Sequence, residues 1–208
     1  MFGQGINLLD IVFGLAALIL AIDIHEFSHA WMAEHLGDPT PRLQGRLTLN
    51  PLAHLDPIGT ILLILVRFGW GKPVQFDPYN LRNPRRDSGL ISIAGPISNM
   101  LLATVCALLV RLPMPDILAA FLAELAVMNV VLGIFNLVPI HPLDGFKIVE
   151  AILPEQQAAE WHELERYGII FLLILLLPIF NGGALISTII SPPINFVLKL
   201  LLPGTTLF

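Results

Sequence analysis

The chain alternates long apolar stretches with short polar loops, as a protein that crosses a membrane several times does. Apolar stretches of about twenty residues or more, long enough to span a bilayer as helices, cover residues 6–36, 88–111, 116–139 and 184–202. A further apolar stretch at 167–180 is shorter. The pattern therefore predicts an all-α polytopic membrane protein, with a three-helix core followed by two C-terminal membrane helices.

The segment PIGTILLILVRFGW, at 57–70, is apolar but too short to cross the bilayer as a helix. A helix of this length would measure about 21 Å, against a hydrocarbon core of about 30 Å. Lys and Arg collect in cytoplasmic loops, and a segment that does not cross leaves Arg111 alone on the opposite side from the loop cations. We therefore predict a re-entrant or interfacial segment at 57–70 and an N-terminus outside the cell.

Composition agrees with a membrane protein and excludes several other classes. Of the 208 residues, 55% are hydrophobic and only 13% are charged, and the net charge is −5. No run of like charges indicates nucleic-acid binding, and the single cysteine, Cys106, excludes a disulfide framework. No linker, low-complexity tract or repeat divides the chain, so we predict a single domain over residues 1–208.

Candidate chemistry begins with HEFSH, which places His25, Glu26 and His29 inside the first predicted membrane helix. Histidines four residues apart share one helical face, so both imidazoles can reach one tetrahedral zinc ion. Glu26 points about 100° away from His25, where it can hold a water molecule beside the ion and transfer protons. Ionisable groups inside a membrane usually mark a functional site. The alternative is a pair of structural histidines that bond neighbouring helices.

A catalytic zinc site needs a third protein ligand, and Asp144 in NLVPIHPLDG is the best candidate. If 57–70 does not cross the membrane, the third core helix brings Asp144 to the same side as His25 and His29. A crossing segment would place Asp144 at the opposite face. The alternative role for Asp144 is the N-cap of the short helix that follows, a position at which aspartate is favoured.

Five motifs in this order, HEFSH, NPLAHLDPIG, GWGKPV, AGPISN and NLVPIHPLDG, resemble the site-2 protease family of intramembrane zinc metalloproteases. Their spacing is similar to that of small bacterial members without a PDZ or CBS domain. The resemblance implies zinc-dependent endoproteolysis of transmembrane segments, known as regulated intramembrane proteolysis, near the cytoplasmic face of the cell (inner) membrane. It also implies that His25, His29 and Asp144 bind one zinc ion and that Glu26 is the general acid and base.

Several other residues of these motifs have two possible roles. Asn136 resembles the family asparagine that positions substrate or the developing oxyanion, or else it caps a helix end. Gly95 and Asn99 either approach the site or serve ordinary helix packing, and we favour packing. His54 either reaches the mouth of the site or bonds within its loop, which is the favoured role. His141 stands where members of this family more often have proline, and it either supports a ligand, binds the metal itself in the resting state or is a local substitution.

The expected partners are a transmembrane protein substrate and the lipid bilayer, with no nucleic acid. Residues 73–78, PVQFDP, are a candidate edge onto which a substrate strand can add, and a surface turn is the alternative. Two other functions are open: a catalytically silent pseudoprotease that holds membrane helices, and a zinc carrier or channel. The pseudoprotease is disfavoured because no member of the proposed ligand set, nor the glutamate, is missing. A channel would need ligands at several depths.

Overall fold

The computed structural model describes residues 8–57, 59, 71–177 and 184–203. Within these ranges the helices are α1 (Leu8–Leu36), α2 (Thr40–Leu43), α3 (Pro51–His54), α4 (Pro84–Leu109), α5 (Asp116–Asn136), α6 (Asp144–Ile152), α7 (Glu155–His162), α8 (Gly168–Leu176) and α9 (Leu185–Leu201). No β-strand occurs in these ranges, although Leu55 and Gly71 form an isolated antiparallel bridge. The prediction of an all-α protein is therefore confirmed.

Within the described ranges, three helices are long and apolar enough to cross a membrane: Ile11–Leu36 within α1, together with α4 and α5. These are the predicted core helices. The two predicted C-terminal helices are present as α8 and α9, whose described lengths are 9 and 17 residues. The predicted re-entrant segment at 57–70 lies, apart from Pro57 and Gly59, outside the described residues.

Contacts between α1 and α5 show that these two helices run in the same direction. Near their first turns, Phe13 packs edge-to-face on Phe121, with ring centroids 5.4 Å apart. Further along both helices, the buried Asn99 amide of α4 donates to the backbone oxygen of Ala21 at 3.0 Å and to Asn129 Oδ1 at 2.8 Å. Asn99 thus links the middle of all three core helices.

The helix α4 runs antiparallel to α1. Asn99 lies against Ala21. Ile91, eight residues earlier in α4, contacts His29, which is eight residues later in α1. The end of α1 and the start of α4 are therefore at the same end of the bundle. The connection 37–83 leaves from that end and returns to it.

The connection begins with signals that end α1 and finishes with signals that start α4. Gly37 adopts φ 107° just after α1, and the Asp38 N–H reaches back to the backbone oxygen of Ala33 at 2.9 Å. This Schellman arrangement satisfies a carbonyl that the helix end leaves free. Pro84 occupies the first helical position of α4, and the Asp87 carboxylate accepts the N–H of the N-cap residue at 2.9 Å, as in a capping box.

The connection also contains a non-helical segment, Gly71–Asp77, which we call the strap. Its first residue forms the bridge with Leu55, and the Lys72 N–H donates to the backbone oxygen of His54 at 2.8 Å. At its other end, the Asp77 N–H donates to Asp38 Oδ2 at 2.7 Å. The strap is therefore tied at both ends to the region that follows α1.

Candidate metal centre

His25, His29 and Asp144 converge on one point although α1 supplies the histidines and α6 supplies the aspartate. His25 Nε2 lies 3.0 Å from His29 Nε2 and 3.0 Å from Asp144 Oδ2, and His29 Nε2 lies 3.3 Å from Asp144 Oδ1. The histidines are 4% and 7% exposed. Among the described residues these three form the group whose ligand atoms could hold a metal ion, all within 4.8 Å of one another.

Hydrogen bonds on the far side of each ring determine which nitrogen faces this point. His25 Nδ1 lies 2.6 Å from Asn99 Oδ1, and His29 Nδ1 lies 2.7 Å from the backbone oxygen of Ile91. Both partners are carbonyl oxygens, which only accept, so each Nδ1 carries the proton and donates it. In a neutral imidazole the Nε2 atom then presents a lone pair.

Two lone pairs and a carboxylate therefore face one another with no proton between them. Asp144 Oδ2 accordingly has no hydrogen-bond partner within the described part of the chain, although it is buried. Such a group of electron donors repels itself unless a cation lies at its centre. Two imidazoles and one carboxylate are a ligand set that catalytic zinc uses, so the residues present fit a zinc ion.

The helix α4 packs directly against the two imidazoles. A Cβ atom at Gly95 would lie 2.5 Å from His29 Nε2 and 2.6 Å from His25 Cε1, so only glycine allows this approach. Asn99, one helical turn later, is fully buried and accepts from His25. The preference for ordinary packing at Gly95 and Asn99 was wrong. Their spacing of four residues puts both on one face of the helix, and this spacing could have indicated that both approach the same site.

Asp144 begins α6, whose N-cap residue is Leu143 rather than Asp144. The alternative role of Asp144 as a helix cap is thus not what the structure shows. An aspartate carboxyl is ordinarily ionised at neutral pH, so Asp144 turns negatively charged oxygens toward the two histidines. A Cβ at Gly145 would lie 2.3 Å from the backbone oxygen of Leu137, so glycine here lets α6 start close against the end of α5.

Glu26 lies beside the metal group but is not part of it. Its Oε2 accepts the backbone N–H of Val74, in the middle of the strap, at 2.8 Å. Asn136 is the last residue of α5 and lines the same cavity as Glu26. Its side-chain amide donates to the backbone oxygen of Leu132, one turn earlier, at 3.0 Å.

A cavity of about 650 Å³ opens onto the candidate ligands and Glu26. This volume is within the range of ligand sites. Its walls are mainly apolar, and its lining includes Leu18, Ile22, Leu132, Phe135 and the strap residues Pro73, Val74, Gln75 and Phe76. An extended peptide in this cavity would meet the metal group, Glu26 and the strap together.

Two further histidines take separate positions. His54 is fully buried, with Nε2 2.9 Å from the backbone oxygen of Thr48 and 3.6 Å from Asp23 Oδ1. It therefore bonds within its own loop, the role we favoured. His141 lines the cavity and its Nδ1 lies 3.7 Å from Glu165 Oε1. Burial lowers the pKa of His141, and the opposing effect of Glu165 is smaller.

Comparison with known proteins identifies relatives over most of the chain. The profile of Peptidase family M50 matches residues 112–178. The chain is 40% identical over 185 residues to "Putative zinc metalloprotease YwhC" of Bacillus subtilis, which covers 80% of this chain and 84% of that protein. It is 34% identical over 179 residues to "Putative zinc metalloprotease Rip2" of Mycobacterium tuberculosis, which covers 81% and 68%. No solved structure matches the chain significantly.

Proposed function

Because the chain belongs to peptidase family M50, it is a zinc metalloendopeptidase with membrane-spanning helices, and we propose that it cleaves transmembrane segments of other membrane proteins. The observation that carries the proposal is the position of His25 and His29 within Ile11–Leu36, a helix that can span the bilayer. A metal group on such a helix meets peptide bonds at membrane depth. We extend the proposal to regulated intramembrane proteolysis.

In the proposed mechanism, His25, His29 and Asp144 hold the zinc ion. When bound there, zinc polarises a scissile carbonyl and lowers the pKa of a water molecule. Glu26 takes the proton of the attacking water and then delivers it to the leaving amine. The Val74 N–H fixes one oxygen of the Glu26 carboxylate. The second oxygen makes no hydrogen bond within the described residues, so it is available for the water.

The substrate must unwind before it can be cut, because each carbonyl in a membrane helix is already hydrogen-bonded. The strap supports unwinding by strand addition. It is not helical and it lines the cavity, and in the described part of the chain the backbone groups of Gln75 and Phe76 have no hydrogen-bond partner. Asn136, on the same cavity, is proposed to contact the substrate near the scissile bond, since its side chain lies within the lining.

The proposed orientation puts the metal centre near the cytoplasmic face of the cell (inner) membrane and the N-terminus outside. The connection 37–83 begins and ends at one end of the bundle, and it carries exposed cations such as Arg42, Lys72 and Arg82. Asp144 lies at that end too, since it contacts His29. Basic residues concentrate on the cytoplasmic side of membrane proteins.

The test is incubation of the purified protein in liposomes with a single-span model substrate, with and without a zinc chelator. We expect cleavage that the chelator abolishes. Glu26→Gln should lose about 10²- to 10⁴-fold in rate, the usual contribution of a general base, and should keep its zinc. Asp144→Asn should lose zinc and activity together, because the substitution removes the negative charge that faces the ion.

Four outcomes would contradict parts of the proposal. Cleavage that persists in Glu26→Gln would remove this residue from the mechanism, and zinc loss in that variant would make it a ligand. Full zinc content and activity in Asp144→Asn would exclude the proposed ligand set. Binding of the model substrate without any cleavage by the unmodified protein would favour a membrane-helix-binding pseudoprotease.

A further inference from the structure

Arg46, in the connection between α2 and α3, is a buried guanidinium with little to balance it. The residue is only 4% exposed. Its Nη2 donates to the backbone oxygen of Lys72, while its Nε and Nη1 have no hydrogen-bond partner among the described residues. A buried charge is costly unless it is paired and hydrogen-bonded, so the one hydrogen bond that the guanidinium makes to the described residues requires an explanation.

The charge that acts on Arg46 is that of Glu26. Burial lowers the pKa of Arg46 below its ordinary value, and the Glu26 carboxylate opposes part of this shift. The hydrogen bond of the guanidinium goes to Lys72, which is two residues before the Val74 N–H that binds Glu26.

Lys72 is consequently fixed on both sides of its backbone. Its carbonyl accepts from Arg46, and its N–H donates to the backbone oxygen of His54 at 2.8 Å. Because consecutive residues move together, a shift of Lys72 carries Val74 with it. That shift would move the Val74 N–H away from Glu26 and displace the strap residues that line the cavity.

We propose that Arg46 is a positioning residue that holds the strap by the Lys72 carbonyl, and so sets both the orientation of Glu26 and the edge offered to substrate. Arg46 is not among the cavity-lining residues in the described part of the chain, so it acts through the strap. The inference rests on the proposed function, because it assumes that Glu26 and the strap serve cleavage of a peptide.

The first measurement follows the strap itself by hydrogen exchange on the zinc-loaded, full-length protein. Arg46→Ala removes a hydrogen bond from a charged donor, which contributes more than a neutral one. Exchange of the hydrogen-bonded strap amides, those of Lys72, Val74 and Asp77, should accelerate by about tenfold or more, as local opening becomes easier. Zinc content should stay at the level of the unmodified protein, because the proposed ligands lie on α1 and α6.

Arg42→Ala is the matched control. Arg42 lies four residues earlier in the same connection, its side chain is 61% exposed, and it pairs with Glu34 at 2.9 Å. The control removes the same charge from the same region, but it does not remove a hydrogen bond to the strap. Exchange in 71–77 should be unchanged in this variant.

The second measurement separates KM from kcat in cleavage of the single-span substrate. Arg46→Ala should raise KM, because the strap edge is displaced, and lower kcat, because Glu26 loses its orientation, with kcat/KM falling by roughly a hundredfold. Arg46→Lys should recover about tenfold of this loss, since an ammonium can still bond the Lys72 carbonyl but lacks the rigid guanidinium geometry. A residue that only stabilised the fold would not produce this graded recovery.

Unchanged exchange of 71–77 in Arg46→Ala would overturn the inference, and so would an acceleration spread equally over the core helices. Hydrogen exchange needs no substrate, so this result stands apart from the cleavage assay. Acceleration confined to the strap would support the positioning role even if the unmodified protein cut no transmembrane substrate. That failure would count against the proposed function alone.

Discussion

Replacement of Gly95 by alanine is expected to disrupt the metal centre without changing any candidate ligand. The new Cβ would lie 2.5 Å from His29 Nε2, whereas ordinary contact begins at 3.4 Å. A ring or the α4 backbone must therefore move by about 0.9 Å to restore ordinary contact, several times the roughly 0.2 Å tolerance of metal–ligand distances. One histidine should lose its ligand position.

The histidines cannot move freely to accommodate this methyl group. His25 is held by Asn99, and His29 is held by the backbone oxygen of Ile91. Breaking either buried hydrogen bond costs about 1 to 3 kcal/mol, and loss of support around a metal ligand typically reduces metal affinity by about 10- to 100-fold. Displacement of the ligand itself should reach at least the upper end of that range.

The assay is zinc content per chain after dialysis against graded chelator concentrations. Gly14→Ala, on the same helix as the histidines, is the matched control. The nearest atom to its new Cβ, among those outside its own stretch of α1, is Glu124 Oε1 at 3.7 Å, which is ordinary contact. Alanine should also stabilise the helix there by up to about 1 kcal/mol. A Gly95→Ala protein that retains zinc at the same chelator concentrations as the control would refute the argument.

Three further predictions concern other parts of the structure. Asn99→Ala should weaken zinc binding by about 10- to 100-fold in chelator competition; unchanged binding would mean that the Asn99 contact does not orient its histidine. Burial raises the pKa of Asp38, but hydrogen bonds chiefly from Thr40 and Asn80 lower it below 3.8. The stabilisation is therefore present above pH 3.8 and is lost as the pH falls through the folded value. The thermal stability advantage over Asp38→Asn should shrink below pH 3.8, and a constant difference would contradict this. In a variant without the native cysteine, cysteines at positions 44 and 85 should label from the cytoplasm and one at 112 from outside; labelling of 44 and 85 from opposite sides would exclude the topology.

Hydropathy predicted the core helices closely but misplaced some ends. The stretch predicted at 88–111 is the helix Pro84–Leu109. Its first turn is polar, so hydropathy could not include it, whereas Pro84 at the first helical position and Asp87 as a cap begin the helix earlier. The end of α1 was easier to place, because Gly37 follows directly on the apolar pattern and adopts a conformation that favours glycine.

For the candidate site, the residues that could be predicted are those that depend on local sequence spacing or on helix direction, and the others depend on long-range contacts. The spacing of His25 and His29 is local, so the sequence alone placed both on one helical face. Asp144 became a candidate because helix directions could be inferred from charge. The contact between Asn99 and His25 joins residues 74 positions apart. Arg46 likewise depends on which segment packs beside it, and its sequence neighbours do not reveal this.

The proposed ligands come from an early and a late part of the sequence, and this affects when the enzyme can become active during its synthesis. His25 and His29 are made early, but Asp144 follows α4 and α5. Two histidines alone hold zinc poorly, so a growing chain has no firm metal centre until all three core helices have been made. An unfinished or truncated chain that stops before α6 would therefore be inert as a peptidase.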